Sequence, residues 1–380
     1  MEYRLEELFD LQMGKTPARN NPRYWGTTDN KWISIADLSK CGKYIKETKE
    51  YLSDVAIAES GISQIPANTV IMSFKLSIGK TAITYEPMYS NEAIMSFRDK
   101  HFVDLLPEYI YYLLVAHNWD EGTNKAVMGK TLNKATLSKV KVHIHPLEKQ
   151  EKIVSILNKL TDAIQEHQQQ LQKLDELIKS RFIEMFGIIN EEVPLSYYIA
   201  SLNAGKSLAS EEESTNKVLK TGAVTYDYFD ATQTKNLPRD YEPQENHRVN
   251  AGDVIISRMN TAELVGAAAY VWNVPEHIYL PDRLWKAEIK GTANPIFLWQ
   301  VLIQSSTKEN IRRIASGTSG SMKNISKLGL IEIRVVKAPI ELQNQFAAFV
   351  QQVDKSKVAV QKSLDEMQLL FDSLMQKYFR

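Results

Sequence analysis

The sequence predicts an α+β protein built from two copies of one plan, in which each globular segment is followed by a long helix. The first observation is an internal repeat of short motifs. The second is a pair of segments without Pro or Gly in which apolar residues recur at heptad spacing. We therefore divide the chain into globular segments at 1–145 and 190–338 and helical segments at 146–189 and 339–380.

The repeat is carried by three pairs of motifs that keep their order along the chain. They are Leu11–Thr16 with Leu202–Ser207, Val70–Ser73 with Val254–Ser257, and Pro146–Gln150 with Pro339–Gln343. Each match is short, but the shared order and nearly constant separation favour a tandem duplication.

The composition excludes several classes of protein. Because 46 Lys and Arg balance 46 Asp and Glu, a histone-like binder of polyanions is excluded, whereas local basic patches are not. The single cysteine excludes a disulfide framework and a cysteine-rich zinc module. No apolar run approaches the roughly 20 residues of a membrane span, and the acidic N-terminus does not resemble a signal peptide. We expect a soluble cytoplasmic protein that binds no membrane.

Each globular segment combines short strands with helices. Helices are expected to open at Pro107 and Pro295, because Pro suits the first turn of a helix. Four apolar runs are predicted to be strands: Val70–Ser73, Lys141–Ile144, Val254–Ser257 and Ile331–Val335.

Each long helix carries a heptad seam, from Ile153 to Met185 in the first and from Phe346 to Tyr378 in the second. Each helix could extend for about 60 Å at 1.5 Å per residue. The simplest arrangement is an antiparallel coiled-coil pair, which gives the repeat a pseudo-twofold character. Three polar seam residues either extend to solvent or fix the helix register: His167, Arg181 and Lys357.

Additional apolar residues beside the seams widen the apolar stripe. A two-stranded coiled coil would not cover such a stripe, so we expect these residues to dock helices of partner proteins. They are Ile156, Leu177, Phe182, Phe186, Phe349, Leu370 and Phe379.

The Gly-Lys-Thr and Gly-Lys-Ser motifs do not form a P-loop. A P-loop needs a further glycine five residues earlier, and none of the four motifs has it. They begin at Gly14, Gly79, Gly129 and Gly205. A nucleotide triphosphatase is therefore excluded. His143 and His145 alternate on one predicted strand without a third metal ligand, so we expect both to be structural.

A magnesium-dependent nuclease is an alternative. Asp282, Glu288 and Lys290 resemble the metal site of many nucleases, in which two acids and a lysine hold Mg²⁺ and orient a water molecule. The repeat argues against this function. Aligning the two copies places Glu92 opposite Asp282 but leaves the other two residues without counterparts.

Two basic stretches without acidic residues occur at equivalent places in the copies, Gly122–Leu147 and Asn310–Ile331. Cations interleaved with glycines and hydroxyl groups suit contact with DNA phosphates. The candidate DNA-binding residues in these stretches are Lys125, Lys130, Lys134, Arg312, Arg313, Lys323 and Lys327.

The Gly14–Trp25 segment and its surroundings form a second candidate. Arg can hydrogen-bond to guanine edges and Asn to adenine edges in the major groove. The candidates in the first copy are Lys15, Thr16, Arg19, Asn20, Arg23, Lys75 and Lys80. The candidates in the second copy are Lys206, Arg258 and Asn260.

Three features together carry a resemblance to a known family. Phe9–Pro17, followed by Tyr24-Trp25 and Trp32-Ile33, is similar to the family's opening motif, and Pro146–Ile153 is similar to the start of its central conserved helix. The repeated order of globular segment and helix extends over essentially the whole chain. On these features the chain resembles the DNA specificity subunit of Type I restriction–modification enzymes. The second copy departs from the opening motif, since it lacks the Pro and the Tyr-Trp pair.

The resemblance implies that each globular segment is a target recognition domain for one half of a bipartite, asymmetric site in double-stranded DNA. It implies that the helices set the half-site spacing and dock two methylation subunits, which bind S-adenosylmethionine and flip the target adenine. A restriction and translocation subunit would complete the complex. This chain would carry no catalytic site, metal or cofactor. A coiled-coil scaffold that binds only protein is a further alternative.

Overall fold

The computed structural model describes residues 1–75, 77–119, 124–126, 129–317 and 322–379, with the backbone alone at 124–126 and 129–131. The chain forms two compact units, which we call unit 1 (Met1–Gln168 with Lys362–Arg380) and unit 2 (Gln169–Gln361). Each unit contains one globular segment and about half of each long helix. The boundary between the units therefore falls within each long helix.

Unit 1 has short helices, the first half of one long helix and the second half of the other. The helices are α1 (Leu5–Leu8), α2 (Ile35–Lys40), α3 (Asp54–Ser60), α4 (Pro107–Ala116), α5 (Lys134–Ser138) and α6 (Leu147–Phe186). The strands are β1 (Glu2–Arg4), β2 (Phe9–Met13), β3 (Asn30–Ile33), β4 (Tyr44–Ile45), β5 (Glu50–Leu52), β6 (Val70–Ser73), β7 (Thr81–Thr84), β8 (Tyr89–Ser90), β9 (Ile94–Asp99), β10 (Asn124–Ala126), β11 (Gly129–Thr131) and β12 (Lys141–His143).

Unit 2 begins with the second half of α6. Its strands are β13 (Glu192–Pro194), β14 (Ile199–Asn203), β15 (Lys217–Leu219), β16 (Thr234–Asn236), β17 (Val254–Ser257), β18 (Met259–Asn260), β19 (Ala268–Tyr270), β20 (Ile278–Tyr279), β21 (Leu284–Ile289), β22 (Lys323–Asn324) and β23 (Arg334–Val336). Its remaining helices are α7 (Pro295–Ile303), α8 (Ser305–Ile314), α9 (Lys327–Ile331) and α10 (Ile340–Phe379), with 3₁₀ turns at Leu195–Tyr197, Thr221–Val224 and Glu245–His247.

The two units repeat one strand order. The antiparallel order β2-β9-β6-β7 in unit 1 corresponds to β14-β21-β17-β19 in unit 2. The smaller sheets β5-β3-β8 and β16-β15-β20 each contain one antiparallel and one parallel pair, and the ribbons β1-β12 and β13-β23 also correspond. Unit 1 adds β4, parallel to β7. The α+β class and the internal repeat are confirmed.

The two long helices run antiparallel within each unit. In unit 2, the Phe346 ring of α10 lies 5.5 Å from the Phe182 ring of α6, measured between ring centroids. Farther along both helices, Lys357 of α10 donates to the Asp175 carboxylate of α6 at 2.6 Å. This seam lysine therefore contacts the partner helix. In unit 1, Leu157 of α6 and Met375 of α10 share one core.

A buried glutamine joins the start of each long helix to its globular segment. Gln150 is 1% exposed, and its side chain accepts from the Leu106 N–H at 3.1 Å and donates to the carbonyls of Asp104 and His145. Gln343 is 0% exposed and makes the equivalent set of three bonds in unit 2. The repeated Pro-x-x-x-Gln motif thus has the same structural role in both copies.

Local structure agrees with most of the predicted elements, with one correction. Helices α4 and α7 open at Pro107 and Pro295, and α6 ends at Phe186, just before Gly187, whose N–H donates to the Ile183 carbonyl at 2.8 Å. The predicted strand Ile331–Val335 is wrong at its start. Ile331 closes α9, a helix capped by the Ser326 side chain, so the strand begins only at Arg334.

Candidate nucleic-acid interface

A glycine begins the segment that follows the first strand of each main sheet. Gly14 follows β2 and Gly205 follows β14, and both pass against another stretch of backbone. A Cβ atom at Gly14 would lie 2.1 Å from the Ser90 carbonyl oxygen, and one at Gly205 would lie 1.9 Å from the Leu280 carbonyl oxygen. The glycines at positions 14 and 205 are therefore explained by close backbone approach.

A hydroxyl group two residues later binds an acid in both units. Thr16 Oγ1 donates to the Glu92 carboxylate, and Ser207 Oγ donates to Asp282. The Thr16 bond, followed by a backbone hydrogen bond and then by the charges of Lys75 and Arg19, lowers the pKa of the Glu92 carboxyl group. The two copies are therefore equivalent here, as their alignment predicts.

Replacing Gly205 by alanine is expected to lower the free energy of unfolding by about 1–3 kcal/mol, because backbone must move to admit the methyl group. Gly291→Ala is the matched control, since no atom lies within 4 Å of its added Cβ. Thermal unfolding of both variants measures the difference. Equal midpoints would contradict the assigned role of Gly205.

Most cations of the Gly14–Trp25 segment are engaged inside unit 1. Lys15 donates to the Ser60 carbonyl, and Arg23 lies 3.5 Å from the Glu59 carboxylate. Arg19 forms a two-pronged pair with Glu50, and its guanidinium carbon lies 3.9 Å from the centroid of the Trp25 ring. Such pairing makes these cations less available for DNA phosphates than their number suggests.

The other first-copy candidates do not form one cluster with that segment. Asn20, Lys80 and Lys134 are exposed. Lys75 is half-buried, with its Nζ 5.2 Å from the centroid of the Phe74 ring. The side chains of Lys125 and Lys130 lie outside the described part of the structure, although their backbones are paired between β10 and β11.

Three second-copy candidates do come together. Asn260 and Lys323 are directly opposed in the β18–β22 ribbon. Arg258 precedes this ribbon, and its Nε donates to the Asn324 side chain at 3.4 Å. All three side chains are half-buried, and Lys323 also donates to the Gly317 carbonyl at 2.7 Å. A two-stranded antiparallel ribbon is an element that fits a DNA groove.

The remaining second-copy candidates make separate contacts. Arg312 donates to the Glu263 carbonyl at 3.0 Å and Arg313 to the Asn310 side chain at 3.3 Å. Lys327 donates to the Leu202 carbonyl at 2.5 Å, away from the ribbon. Lys206 Nζ lies 5.8 Å from the centroid of the Tyr241 ring.

Sequence reasoning missed three exposed cations of unit 2: Lys220, Lys235 and Arg283. They line one cleft although they are far apart in the chain. None of the three lies in a basic run of the sequence. They come to one cleft because β15 pairs with both β16 and β20.

The nuclease hypothesis is wrong in its geometry. Glu288 accepts from Ser201 Oγ at 2.5 Å, and Lys290 donates to the Ser196 carbonyl at 2.7 Å. Asp282 lies in the turn before β21 and Glu288 is the fifth residue of that strand, so about 13 Å of extended strand separates Glu288 from the start of β21. These residues do not converge on one metal. Among the described residues, no group of three or more His, Cys, Asp or Glu side chains is placed to hold a metal ion.

The predicted docking residues on the helices divide into two groups. Phe182 and Phe186 are only 7% and 2% exposed, because unit 2 covers the wide stripe with its own core. Phe349 and Phe379 also pack against the cores of their units. Phe182 and Phe186 are therefore buried within this chain, whereas Phe349 and Phe379 are half-buried. Partner contacts remain possible for the exposed members, Ile156, Leu177 and Leu370.

The described helices include none that combines the length and apolar character of a membrane span.

Comparison with known families gives a match over the first copy. Residues 1–176 match the model of the Type I restriction modification DNA specificity domain. The specificity subunit of Type I restriction enzyme MjaIX from Methanocaldococcus jannaschii is 27% identical over 197 residues, covering 50% of this chain and 45% of that protein. The HindI specificity subunit from Haemophilus influenzae is 26% identical over 189 residues, covering 47% and 40%. The matched part of this chain thus covers less than half the length of either relative.

Solved structures extend the likeness to the whole fold. An S subunit of a Type I restriction–modification system from M. genitalium covers 100% of this chain and 96% of its own, with a TM-score of 0.58 and 15% identity. A second solved structure, from work on complex assembly and conformational transition of the Type I R-M system, aligns with 99% of this chain and 96% of its own chain. The TM-score is 0.58 and the identity is 17%. At these identities the comparison concerns the fold alone.

Proposed function

We propose that the chain is the non-catalytic, DNA-recognising subunit of a Type I restriction–modification complex, because residues 1–176 match the model of the DNA specificity domain of such systems. Each globular segment recognises one half of a bipartite double-stranded site. The observation that carries the proposal is one strand order repeated in two units, with the family match on the first. Different side chains at equivalent positions suit an asymmetric site.

The DNA-contacting surfaces differ between the copies. In unit 2, the β18–β22 ribbon with Arg258, Asn260 and Lys323 contacts base edges, since these half-buried side chains carry groups that can hydrogen-bond to them. In unit 1, exposed Asn20, Lys80 and Lys134 are better placed for DNA contact than Arg19, which is paired with Glu50.

The helices dock methylation subunits, and S-adenosylmethionine binds to those subunits rather than to this chain. Exposed apolar side chains on α6 and α10 support this assignment, because the helices of a partner protein would bury them. They are Ile156, Leu177, Ile183, Val358, Leu369 and Leu370. Restriction subunits join the same complex, which acts in the cytoplasm.

The test is DNA binding by the chain purified together with its methylation subunits. Sequence-specific binding by the complex, absent from the methylation subunits alone, is the expected result. Equal specificity without this chain would contradict the proposal and favour a protein-binding scaffold.

A second assay addresses the nuclease alternative. The chain alone, incubated with DNA and Mg²⁺, is expected to leave the DNA intact. Cleavage that Asp282→Ala abolishes would restore the nuclease hypothesis.

A further inference from the structure

A cleft of about 270 Å³ opens in unit 2 beside the segment that follows β14. Its walls are Ser207–Ala209, Val218–Thr221, Lys235 and Pro281–Arg283. Two strands of the smaller sheet, β15 and β16, and the residues preceding β21 therefore contribute to it. We call it the cationic cleft.

Three cations of this cleft are unpaired. Lys220, Lys235 and Arg283 are exposed, and in the part of the chain that the structure describes their side chains form no ion pair or hydrogen bond. Other cations of unit 2 are paired, such as Lys286, which lies 3.6 Å from the Asp253 carboxylate. An anion entering the cleft would relieve the mutual repulsion of the three cations.

Among the described residues, the acid in the cleft wall forms no ion pair with these three cations, so one carboxylate stands beside three cations. Asp282 accepts from Ser207 Oγ, and its own N–H donates back to the same oxygen at 3.2 Å. The adjacent backbone is fixed as well, because the Gly205 N–H donates to the Pro281 carbonyl at 3.0 Å. The wall is thus held in place before a ligand binds.

The three equivalent positions in unit 1 carry no cation. Trp32 pairs with both Tyr89 and Glu50, as Val218 pairs with both Tyr279 and Lys235. This correspondence puts Ser34, Glu50 and Ala93 where unit 2 has Lys220, Lys235 and Arg283. Glu50 is itself engaged by Arg19. Cations at these three positions are therefore a feature of the second copy.

We propose that the cationic cleft binds phosphodiester groups of the DNA backbone and gives unit 2 a salt-dependent contact that unit 1 lacks at the equivalent position. The inference rests on the proposed function and adds the position of one backbone contact. Arg283 can bind a phosphate through two N–H groups, whereas Lys220 and Lys235 act as point charges. Backbone contacts of this kind position a protein on DNA without distinguishing bases.

The experiment measures DNA affinity of the complete complex as a function of salt concentration. The variant is Lys220→Ala with Lys235→Ala and Arg283→Ala, with each single replacement measured beside it. The control is Lys290→Ala, an exposed lysine of the same unit seven residues, or about 23 Å of extended chain, beyond Arg283. We expect the slope of log affinity against log salt to fall by about one for each cation that contacts a phosphate. The recognised sequence is expected to stay the same.

Three results would overturn this inference. One is a triple variant with the affinity and slope of the Lys290→Ala control. Another is a changed base preference in one half-site, which would make the cleft a base-reading surface. The third is binding of inorganic phosphate by the wild type that the triple variant loses, with DNA binding the same in both proteins. That result would make the cleft a site for small anions.

Failure of this inference can be distinguished from failure of the proposed function. If the wild-type complex showed no sequence specificity, the proposed function would fail. The comparison of salt slopes on DNA of arbitrary sequence would still decide whether the cleft contacts phosphates. Thermal unfolding of the triple variant is expected to match the wild type, since the three side chains are exposed and unpaired.

Discussion

Replacing Phe346 by alanine is expected to lower the free energy of unfolding of unit 2 by about 3–5 kcal/mol. Phe346 is 0% exposed, and its ring centroid lies 5.5 Å from that of Phe182 and 5.4 Å from that of Phe186. The substitution therefore leaves a cavity where α10 packs against α6. Hydrogen exchange in β17 and β21, together with thermal unfolding, measures the loss.

The control for this variant lies on the same helix in the same unit. Val358 is 62% exposed, so Val358→Ala is expected to change the free energy of unfolding by less than about 0.5 kcal/mol. A Phe346→Ala protein as stable as Val358→Ala would show that the helices do not depend on this aromatic contact.

Replacing Gln343 by alanine is expected to cost about 2–4 kcal/mol, because buried polar groups lose their partners. Its side chain accepts from the Asn294 N–H at 2.8 Å and donates to the carbonyls of Thr292 and Ala338. All three contacts lie at the junction of α7 and α10. Chemical denaturation followed by circular dichroism measures the difference.

Gln351 supplies the comparison, since it is an exposed glutamine on the same helix. Gln351→Ala is expected to leave the denaturation midpoint unchanged. Gln150→Ala should reproduce the loss in unit 1, where the bonds to Leu106, Asp104 and His145 are equivalent. Denaturation midpoints indistinguishable from that of Gln351→Ala would refute the role given to the repeated glutamine.

The long helices were the part of the fold that the sequence predicted most closely. Their predicted ranges, 146–189 and 339–380, differ by at most a few residues from Leu147–Phe186 and Ile340–Phe379. Heptad periodicity and the absence of Pro and Gly are local properties, so they require no knowledge of distant contacts. The internal repeat was likewise visible from motif order alone.

What covers an apolar stripe could not be read from its periodicity. Phe182 and Phe186 were assigned to partner docking because a coiled coil leaves them uncovered, whereas the globular segment of the same unit buries them. The repeated glutamine was visible as a motif, but its partners near Asn294 lie about 50 residues away in the chain. Both cases depend on tertiary contacts.

The sequence likewise did not show which charged residues are free to contact DNA. Composition identified the cations of the Gly14–Trp25 segment but not their acids, such as Glu50, which binds Arg19. The reverse holds for Lys220 and Arg283, which belong to no basic run and meet only through strand pairing. The cations in a sequence predict contact with DNA only when the acids that pair with them in the folded protein are known.

The central claim is that each globular segment recognises its own half of a DNA site. The most direct measurement is the genome-wide pattern of adenine methylation in cells that express this chain with its methylation subunit, before and after residues 190–338 are exchanged for those of another specificity subunit. The account predicts a split motif in which one half changes while the other stays. Methylation of the same sequences after the exchange, or in the absence of this chain, would contradict it.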